Sequence, residues 1–294
     1  MINDMKTLNE EINDIKTMKA TKTAKAQALF KLGLRKHEVE LILSQMPKAA
    51  AERVSFTFGV EIECLVPRID VETIATRNNL PFRYEGYNHV DNNSYFKFVS
   101  DASIQGANPI ECVSPILKGK NGFKSLENCC RALNEANAQV NKSCGLHVHI
   151  GASKMTGEHY ANVFYNYAML ENAIDSFMAR SRRANNSQWC RTLQDHLQCL
   201  ELCKNANDVL QSMNNCRYQK VNAVSYVRHK TIEFRQHQGS TDFTKIKNWV
   251  NFCAKLVAWS KKNRIEAPIL TIEEIPFLTA TEKKFFINRR NELA

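Results

Sequence analysis

Three segments of this sequence alternate apolar residues with ionisable ones at a spacing of two. Side chains two residues apart on a β-strand point to the same face, so each segment is predicted to bury one apolar face and to present ionisable groups on the other. A strand face that only meets solvent is more often lined by Lys, Thr, Ser and Gln. We therefore expect one polar site built from three strands, with the side chains Glu61, Glu63, His147, His149, Glu233, Arg235 and His237.

The residue types in these segments favour divalent metal ions and phosphate. Paired carboxylates bind Mg²⁺ or Mn²⁺ through oxygen, and imidazole is the usual nitrogen ligand of metals. Arg235 suits a phosphate group, because its planar guanidinium makes paired hydrogen bonds and stays protonated. Metal ions beside an arginine are typical of phosphoryl transfer. Each pattern is weak by itself, since Glu-x-Glu and His-x-His also occur in ordinary strands, and it is their coincidence that favours a site.

Further polar residues lie near this set in the sequence. Asp101 and Glu111 follow an aromatic-rich strand segment, and a carboxylate there would complete the ligand set of a second metal. The alternative is an ordinary acid at a strand edge. The turn at residues 239–242 leads into a predicted helix, where Asp242 either caps the helix or leaves its N-terminus to receive an anion.

The segments around these residues predict an α+β fold. Strands are predicted at residues 56–65, 95–99, 110–114, 145–150 and 230–237, which are rich in β-branched and aromatic side chains. Helices are predicted at residues 125–138, 159–180, 244–261 and 282–293. Short strands separated by helices of uneven length favour a sheet backed by helices on one face.

The chain is predicted to fall into three parts. Residues 1–53 would form a small N-terminal helical extension, residues 54–264 the main domain, and residues 265–294 a helical tail. In the extension, helices at residues 24–32 and 35–45 would be joined at Gly33. Such a pair is either a helix-turn-helix or a docking hairpin, and its second helix lacks the cluster of Arg, Lys and Asn that favours base reading.

The composition is that of an ordinary globular protein. The chain has 294 residues, 44% hydrophobic and 24% charged, and no apolar run approaches the roughly 18 residues of a membrane helix. The N-terminus lacks the basic start and apolar stretch of a secretory signal, so we expect a cytoplasmic protein without a membrane partner. The ten cysteines form no Cys-x-x-Cys pair, which argues against zinc-ribbon and thioredoxin chemistry. The net charge of +10 is spread along the chain and is compatible with an anionic substrate such as a nucleotide.

Five motifs, taken in order, resemble those of the amidoligase family. They are Gly59-Val-Glu61-Ile-Glu63, Asp101-Ala-Ser103-Ile, Glu111-Cys-Val-Ser114-Pro115-Ile, Cys144-Gly-Leu-His147-Val-His149-Ile and Thr231-Ile-Glu233-Phe-Arg235-Gln-His237-Gln-Gly239. Arg182 and Arg183, followed by Trp189, also resemble the arginine-rich loop of this family. Ala102 and Ser240 depart from it, since they stand where members often have glycine and threonine. The resemblance spans residues 55–260, and the helical extension is similar to those of some phage-encoded members.

The resemblance implies a carboxylate–amine ligase with a catalytic fold like those of glutamine synthetase and glutamate–cysteine ligase. The concave face of a curved antiparallel sheet would bind ATP and two or more Mg²⁺ or Mn²⁺ ions. ATP would phosphorylate a carboxylate, and an amine would displace phosphate from the acyl phosphate to form an amide. By position, the implied metal ligands are Glu61, Glu63, Glu111, His147 and Glu233. The implied catalytic residues are Arg235, His149 and Arg217, and the implied nucleotide contacts are Arg235, His149, Asn222 and Ser103.

Two other functions stay open at this point. Cys144 and His147 could act as nucleophile and base, although residues three apart on a strand point to opposite faces. The N-terminal helices could bind nucleic acid beside an inactive ligase-like domain, although every implied ligand position is filled. The sequence leaves the carboxylate and the amine open, with peptides, cell-wall fragments, a glutamate side chain and small amino acids as alternatives. It also leaves the oligomeric state open.

Overall fold

The fold was obtained as a computed structural model, which describes residues 7–17, 22–45, 56–86, 90 and 92–294. The chain divides into two compact units, Met1–Arg53 and Val54–Ala294. Parts of the predicted helical extension, residues 1–6, 18–21 and 46–53, lie outside the described residues.

The described part of the first unit contains three helices: α1 (Leu8–Thr17), α2 (Lys22–Lys31) and α3 (Lys36–Gln45). The two helices predicted around Gly33 are confirmed as α2 and α3. Gly33 has a φ of +82°, a left-handed conformation that glycine adopts at little cost, and it ends α2. The helix α1 lies within the predicted helical extension, although its polar segment was not assigned a separate helix. Its start is nevertheless marked by a capping box, in which the backbone N–H of Thr7 donates to Glu10 Oε2 at 2.7 Å.

The described residues of the second unit form a sheet of eight strands. In chain order these are β1 (Thr57–Leu65), β2 (Phe82–Tyr84), β3 (Phe96–Val99), β4 (Pro109–Val113), β5 (Leu117–Lys118), β6 (Gly145–Gly151), β7 (Val221–Asn222) and β8 (Thr231–Gln238). The order across the sheet is β2-β3-β4-β1-β6-β8-β7, and β5 pairs with one end of β1. Only the β2–β3 pair is parallel among these strands. The five predicted strands are confirmed as β1, β3, β4, β6 and β8.

The helices of this unit include all four that the sequence predicted. They are α4 (Arg68–Arg77), α5 (Gly119–Glu135), α6 (Gly157–Ser176), α7 (Leu197–Leu202), α8 (Ala206–Ser212), α9 (Val224–His229), α10 (Phe243–Ser260) and α11 (Ala280–Glu292). The predicted cap of α10 is confirmed, since the Asp242 side chain accepts a hydrogen bond from the N–H of Lys245. The short helices α4, α7, α8 and α9 were not predicted. No helix in the described part of the chain is long and apolar enough to cross a membrane.

One apolar face of the sheet packs against the long helices α5, α6 and α10. The inward side chains of β1, β6 and β8 are almost completely buried, among them Ile62, Val148 and Phe234. They share one core with Trp249 of α10 and Tyr167 of α6, which are among the largest fully buried side chains there. Because side chains alternate along each strand, this packing leaves the opposite face of the sheet to the ionisable residues.

A bulge in β8 overturns one prediction. Strict alternation predicted that His237 would share the polar face with Glu233 and Arg235. The register instead shifts, because Val148 of β6 lies opposite Phe234 while Leu146 lies opposite His237. The extra residue in β8 turns His237 to the helix side, where its ring lies 5.7 Å from that of Trp249. His237 is therefore a core residue.

A buried ion-pair network joins the chain before β7 to α6. The fully buried Nζ of Lys220 donates to Glu171 Oε1 at 2.8 Å and to Asp175 Oδ1 at 2.7 Å. Glu171 also accepts hydrogen bonds from the Thr192 hydroxyl and, at 2.9 Å, from the N–H of Leu193. The network therefore anchors two loop segments onto one turn of α6.

Candidate functional site

A cavity of about 820 Å³ lies over the polar face of the sheet. Its floor consists of side chains from β1, β4, β6 and β8. Its walls come from the segment after β3, the segment 182–189, the segment 217–218 and α9 with the turn that follows it. This volume is in the range of small-molecule and cofactor sites, roughly 300–1,000 Å³.

The register of the sheet brings the predicted ligands side by side. Glu61 of β1 lies opposite His147 of β6, and Glu63 lies opposite Glu111 of β4. On the next strand pair, His149 lies opposite Glu233 of β8. Directly opposed residues on neighbouring strands point to the same face, so all six side chains enter the cavity.

Hydrogen bonds between carboxylates and imidazoles hold the centre of this cluster. Glu61 Oε2 lies 2.8 Å from His147 Nδ1, and its Oε1 lies 3.2 Å from His149 Nε2. The other ring nitrogen of His147, Nε2, lies 3.4 Å from Glu63 Oε1. Glu63 Oε2 accepts a hydrogen bond of 2.6 Å from the N–H of Gly145. Glu61 therefore bridges the two histidines, and the backbone at the start of β6 orients Glu63.

Three groups of side chains in this cluster have the geometry to hold a metal ion, with their ligand atoms within 4.8 Å of one another. The groups are Glu61 with Glu111 and His147, Glu61 with His149 and Glu233, and Glu63 with Asp101 and Glu111. All five residues implied as metal ligands by the sequence resemblance belong to these groups. Two more join them: Asp101, considered from the sequence only for a second metal, and His149, expected beside the nucleotide or substrate.

The electrostatics of the cluster fit a cation. Burial raises the pKa of Glu111 well above its usual value, and repulsion from Glu61 and Glu63 raises it further. Glu61 is the opposite case. Burial alone would raise its pKa, but attraction and hydrogen bonding from His149 and His147 bring it well below the usual value. Several buried carboxylates that repel one another are relieved by a divalent cation, so the donor set suits Mg²⁺ or Mn²⁺.

Glu233 is held by two partners, so it enters the cluster in a fixed orientation. Arg235 NH1 donates to Glu233 Oε1 at 2.5 Å, and Asn222 Nδ2 donates to Oε2 at 2.6 Å. Burial alone would raise the pKa of Glu233, but attraction from Arg235, together with that from His149 and His147, lowers it overall. The amide of Asn222, expected at the nucleotide, thus contacts a carboxylate of the cluster.

Two hydroxyl groups orient the ring of His149 through its Nδ1. Its Nδ1 lies 2.9 Å from the hydroxyl of Thr231 and 3.2 Å from that of Ser225, and these two hydroxyls are 2.6 Å apart. Partners of this kind fix the ring orientation of a metal-binding histidine. Burial alone would lower the pKa of His149, but the carboxylate of Glu61 raises it overall.

Among the described residues, four arginines line the cavity, and three of them lie around the segment 189–190 beside β8. These three, which define the arginine end of the cavity, are Arg182, Arg217 and Arg235. Nε of Arg182 and Nε of Arg217 are buried and have no hydrogen-bond partner within the described residues. Arg182 is almost fully buried, and its NH2 donates to the carbonyl oxygen of Cys144 at 2.6 Å. Arg182 was absent from the predicted catalytic and binding residues, although the arginine-rich loop in the resemblance pointed to it.

Two remaining sequence expectations concern Ser103 and Cys144. Ser103 lines the cavity, and its N–H donates to Asp101 Oδ1 at 2.7 Å, so it orients a carboxylate of the cluster. Cys144 is not among the residues that line the cavity. Its buried thiol has a raised pKa, which disfavours the thiolate that a nucleophile needs. The structure therefore does not support the pairing of Cys144 with His147 in thiol chemistry.

The family described as "Putative amidoligase enzyme" matches residues 38–257 of this chain. The chain belongs to the amidoligase family. Every member of the three candidate metal groups lies within the matched segment. The family therefore agrees with the resemblance inferred from the five sequence motifs, and its description suggests a ligase. No curated protein matches the chain.

Among solved structures, the chain is similar to a bifunctional glutathione synthetase from Pasteurella multocida. The identity is 10% and the TM-score is 0.36. The similarity covers 82% of this chain and 45% of that protein, so the chain spans less than half of its length.

Proposed function

We propose that this amidoligase is an ATP-dependent carboxylate–amine ligase that works through an acyl phosphate at a divalent-metal site. The observation that carries the proposal is the clustering of buried carboxylates and imidazoles beside three arginines in one cavity. The first set suits divalent metal ions, and the second suits the phosphates of a nucleotide. Their combination is what phosphoryl transfer requires.

The three groups of ligands would hold Mg²⁺ or Mn²⁺, and Glu61 would be shared by two of them. When bound, the ions would neutralise the charge that develops on the phosphate oxygens during transfer. The chain itself would keep the ligands in position. Gly145 orients Glu63, Asn222 orients Glu233, and the two hydroxyls behind His149 orient its ring.

The proposed reaction has two steps. A carboxylate oxygen of the substrate attacks the γ-phosphorus of ATP, and the bond between that phosphorus and the ADP oxygen breaks. The amine nitrogen then attacks the acyl carbon, the carbon–oxygen bond breaks, and phosphate leaves with an oxygen of the original carboxylate. The nitrogen loses a proton as the amide forms.

The guanidinium groups would act in the first step. Arg235 and Arg217 would pair with oxygens of the transferred phosphoryl group and hold it in line with the attacking carboxylate. Nε of Arg217 is buried and has no partner among the residues that the structure describes, which suits this role. Arg235 is bound to Glu233 at 2.5 Å, so it would also keep the phosphoryl group close to the metal ligands.

The sheet supports a finer proposal about the fold. Its strands are mostly antiparallel, helices cover one face, and the polar face forms the cavity floor. We propose that this is the curved sheet of the glutamine-synthetase-like catalytic fold, with the metal cluster on its concave face.

Titration calorimetry with a non-hydrolysable ATP analogue tests the site directly. Binding to the wild type should require Mg²⁺ or Mn²⁺. The variant Glu61→Gln keeps the shape of the side chain but removes a charge shared by two ligand groups, so it should weaken binding by at least tenfold. Glu127→Gln, which changes an exposed carboxylate of α5, is the matched control and should bind like the wild type.

The chemistry is tested with a labelled substrate. A panel of amino acids, peptides and amines is first screened for ADP release that needs both a carboxylate and an amine. With a carboxylate labelled with ¹⁸O, the released phosphate should carry one labelled oxygen. Unlabelled phosphate would exclude the acyl phosphate. Absence of nucleotide binding with either metal, together with tight binding to duplex DNA, would favour the nucleic-acid alternative.

A further inference from the structure

Two partly exposed aromatic side chains stand at the arginine end of the cavity. Trp189 is 38% exposed and Tyr218 is 36% exposed, and both line the cavity. Their ring centroids are 5.1 Å apart with an edge-to-face angle of 74°. In the described part of the chain, one other Phe, Trp or Tyr residue lines the cavity. It is Phe58, which is buried in the core. An exposed aromatic pair in a cavity is a surface on which a flat ring can stack.

The backbone holds this aromatic pair in a fixed position. The N–H of Arg191 donates to the carbonyl oxygen of Tyr218 at 2.9 Å, and the N–H of Lys220 donates to that of Arg191 at 2.8 Å. The two loop segments therefore run side by side as a short parallel bridge. Lys220 is in turn anchored to α6 by its buried ion pairs. The pair is thus ordered before any ligand arrives, which lowers the entropic cost of binding.

The aromatic pair is directly continuous with the proposed phosphate clamp. Nε of Arg235 donates to the carbonyl oxygen of Trp189 at 3.4 Å. The guanidinium of Arg217 lies 5.5 Å from the ring centroid of Tyr218, and Nε of Arg217 is buried without a partner in the described residues. A ligand that joins a flat ring to a chain of phosphates would contact both parts at once.

We propose that Trp189 and Tyr218 form the subsite for the nucleobase of the nucleoside triphosphate. The inference rests on the proposed function, and it adds where the base lies and how it is recognised. The base would stack against the Trp189–Tyr218 pair while the phosphates run past Arg217 and Arg235 to the metal cluster. Since every base has a π-face, recognition by stacking tolerates different bases, so ATP, GTP and CTP should bind with similar affinities.

Inorganic tripolyphosphate separates the base from the phosphates. Binding of ATP and of tripolyphosphate, each with Mg²⁺, is measured by calorimetry for the wild type and for Trp189→Ala. The substitution keeps the backbone carbonyl that accepts from Arg235. Affinity for ATP should fall by about 5- to 150-fold, the range expected for the loss of one stacked aromatic ring. Affinity for tripolyphosphate should stay within about twofold.

Three further variants complete the experiment. Trp189→Phe keeps a stacking face and should recover most of the ATP affinity, and Tyr218→Ala should repeat the selective loss. Indole fluorescence should change when ATP binds to the wild type and stay constant in Trp189→Phe. Trp259→Phe, in the core contact with Phe277 behind the sheet, should retain the fluorescence change.

The outcomes that overturn the inference differ from those that overturn the proposed function. If Trp189→Ala weakens the binding of ATP and of tripolyphosphate equally, Trp189 supports the phosphate clamp and not the base. If the affinity for ATP is unchanged, Trp189 contributes to the binding of neither the base nor the phosphates. Either result rejects the base subsite while metal-dependent ATP binding stands. If the wild type binds no ATP with Mg²⁺ or Mn²⁺, the proposed function fails and the base subsite fails with it.

Discussion

Replacement of Lys220 by methionine tests how the arginine end of the cavity is supported. The ammonium group of Lys220 is fully buried and paired with Glu171 and Asp175. Methionine has nearly the same length and volume, so Lys220→Met removes the charge and preserves most of the packing. The change leaves the carboxylate of Glu171, which is 2% exposed, without its cationic partner and close to that of Asp175.

The expected cost follows from this burial. Removal of one partner of a buried ion pair destabilises a protein by about 3–5 kcal/mol, because the other charge stays buried and uncompensated. For a unit of this size, each kcal/mol lowers the unfolding temperature by about 2–4 °C, so we expect a decrease of about 6–20 °C. Glu171→Gln in the same background removes the orphaned charge, and a favourable coupling energy of about 1–3 kcal/mol should result.

Thermal unfolding followed by near-ultraviolet circular dichroism is the assay, because it reports on the packing of buried aromatic residues. The control is Lys124→Met, which removes an ion pair at 2.9 Å between exposed side chains of α5. That variant should unfold at nearly the temperature of the wild type, since water already screens the exposed pair. A cost below about 1 kcal/mol for Lys220→Met, or equal effects of the two lysine substitutions, would refute the reasoning from buried charge.

Two further predictions concern the core and the metal cluster. Burial lowers the pKa of His237 to about 4, so the folded protein keeps this ring neutral while the unfolded chain gains a proton below about pH 6.5. Stability is therefore lost as the pH falls, by about 2 kcal/mol between pH 7.5 and 5. The variant His237→Asn keeps a donor for the Gln238 carbonyl but does not titrate in this range. The unfolding free energy of the wild type should therefore exceed that of the variant by about 2 kcal/mol less at pH 5 than at pH 7.5. Parallel curves of stability against pH for the two proteins would contradict this prediction. In Gly145→Ala, the new Cβ would lie 3.0 Å from Nε2 of His147 and 3.3 Å from NH1 of Arg182, so it should displace the ring and weaken Mn²⁺-dependent ATP binding by about 10- to 100-fold, as calorimetry can measure. Unchanged affinity would mean that His147 is not held in a binding geometry.

Much of the candidate site could be predicted from local pattern. Alternation in Val60–Cys64 and Leu146–Ile150 predicts a strand with two faces, because the period of side chains along a strand is two whatever its partners are. The residue types on the polar face then predict binding of metal ions and phosphate, because clustered carboxylate and imidazole groups are metal ligands and a guanidinium group pairs with phosphate. Both segments form the predicted strands, β1 and β6, and the ionisable residues of these strands belong to the candidate metal groups.

His237 shows where local pattern fails. Its position in β8 agrees with the same alternation that correctly assigns Glu233, yet a one-residue bulge turns it into the core. The bulge arises from the pairing of β8 with β6. These two strands are far apart in the sequence, since β6 ends at Gly151 and β8 begins at Thr231. The register between strands so far apart in the sequence depends on how both strands pack on the helices, so it cannot be predicted from the sequence of one strand.

Trp189, Tyr218 and Arg182 show a second limit. They lie in connections between elements, without the periodicity that marks a strand or a long helix. Their approach to the cavity depends on a bridge between residues 191 and 219 and on the buried ion pairs of Lys220. The short helices α7, α8 and α9 in this region were likewise not predicted, because six or seven residues give too little pattern.

The amino-acid sequence alone thus determined the five longer strands, the long helices and the chemical character of the site, because these depend on side-chain type and on spacing within one segment. The short strands β2, β5 and β7, of two or three residues each, were not predicted. The tertiary structure alone decided which carboxylate meets which imidazole, which face His237 occupies, and which loop side chains close the cavity. Cross-strand register and loop packing depend on contacts between residues far apart in the chain, and such contacts are selected by the free energy of the whole core.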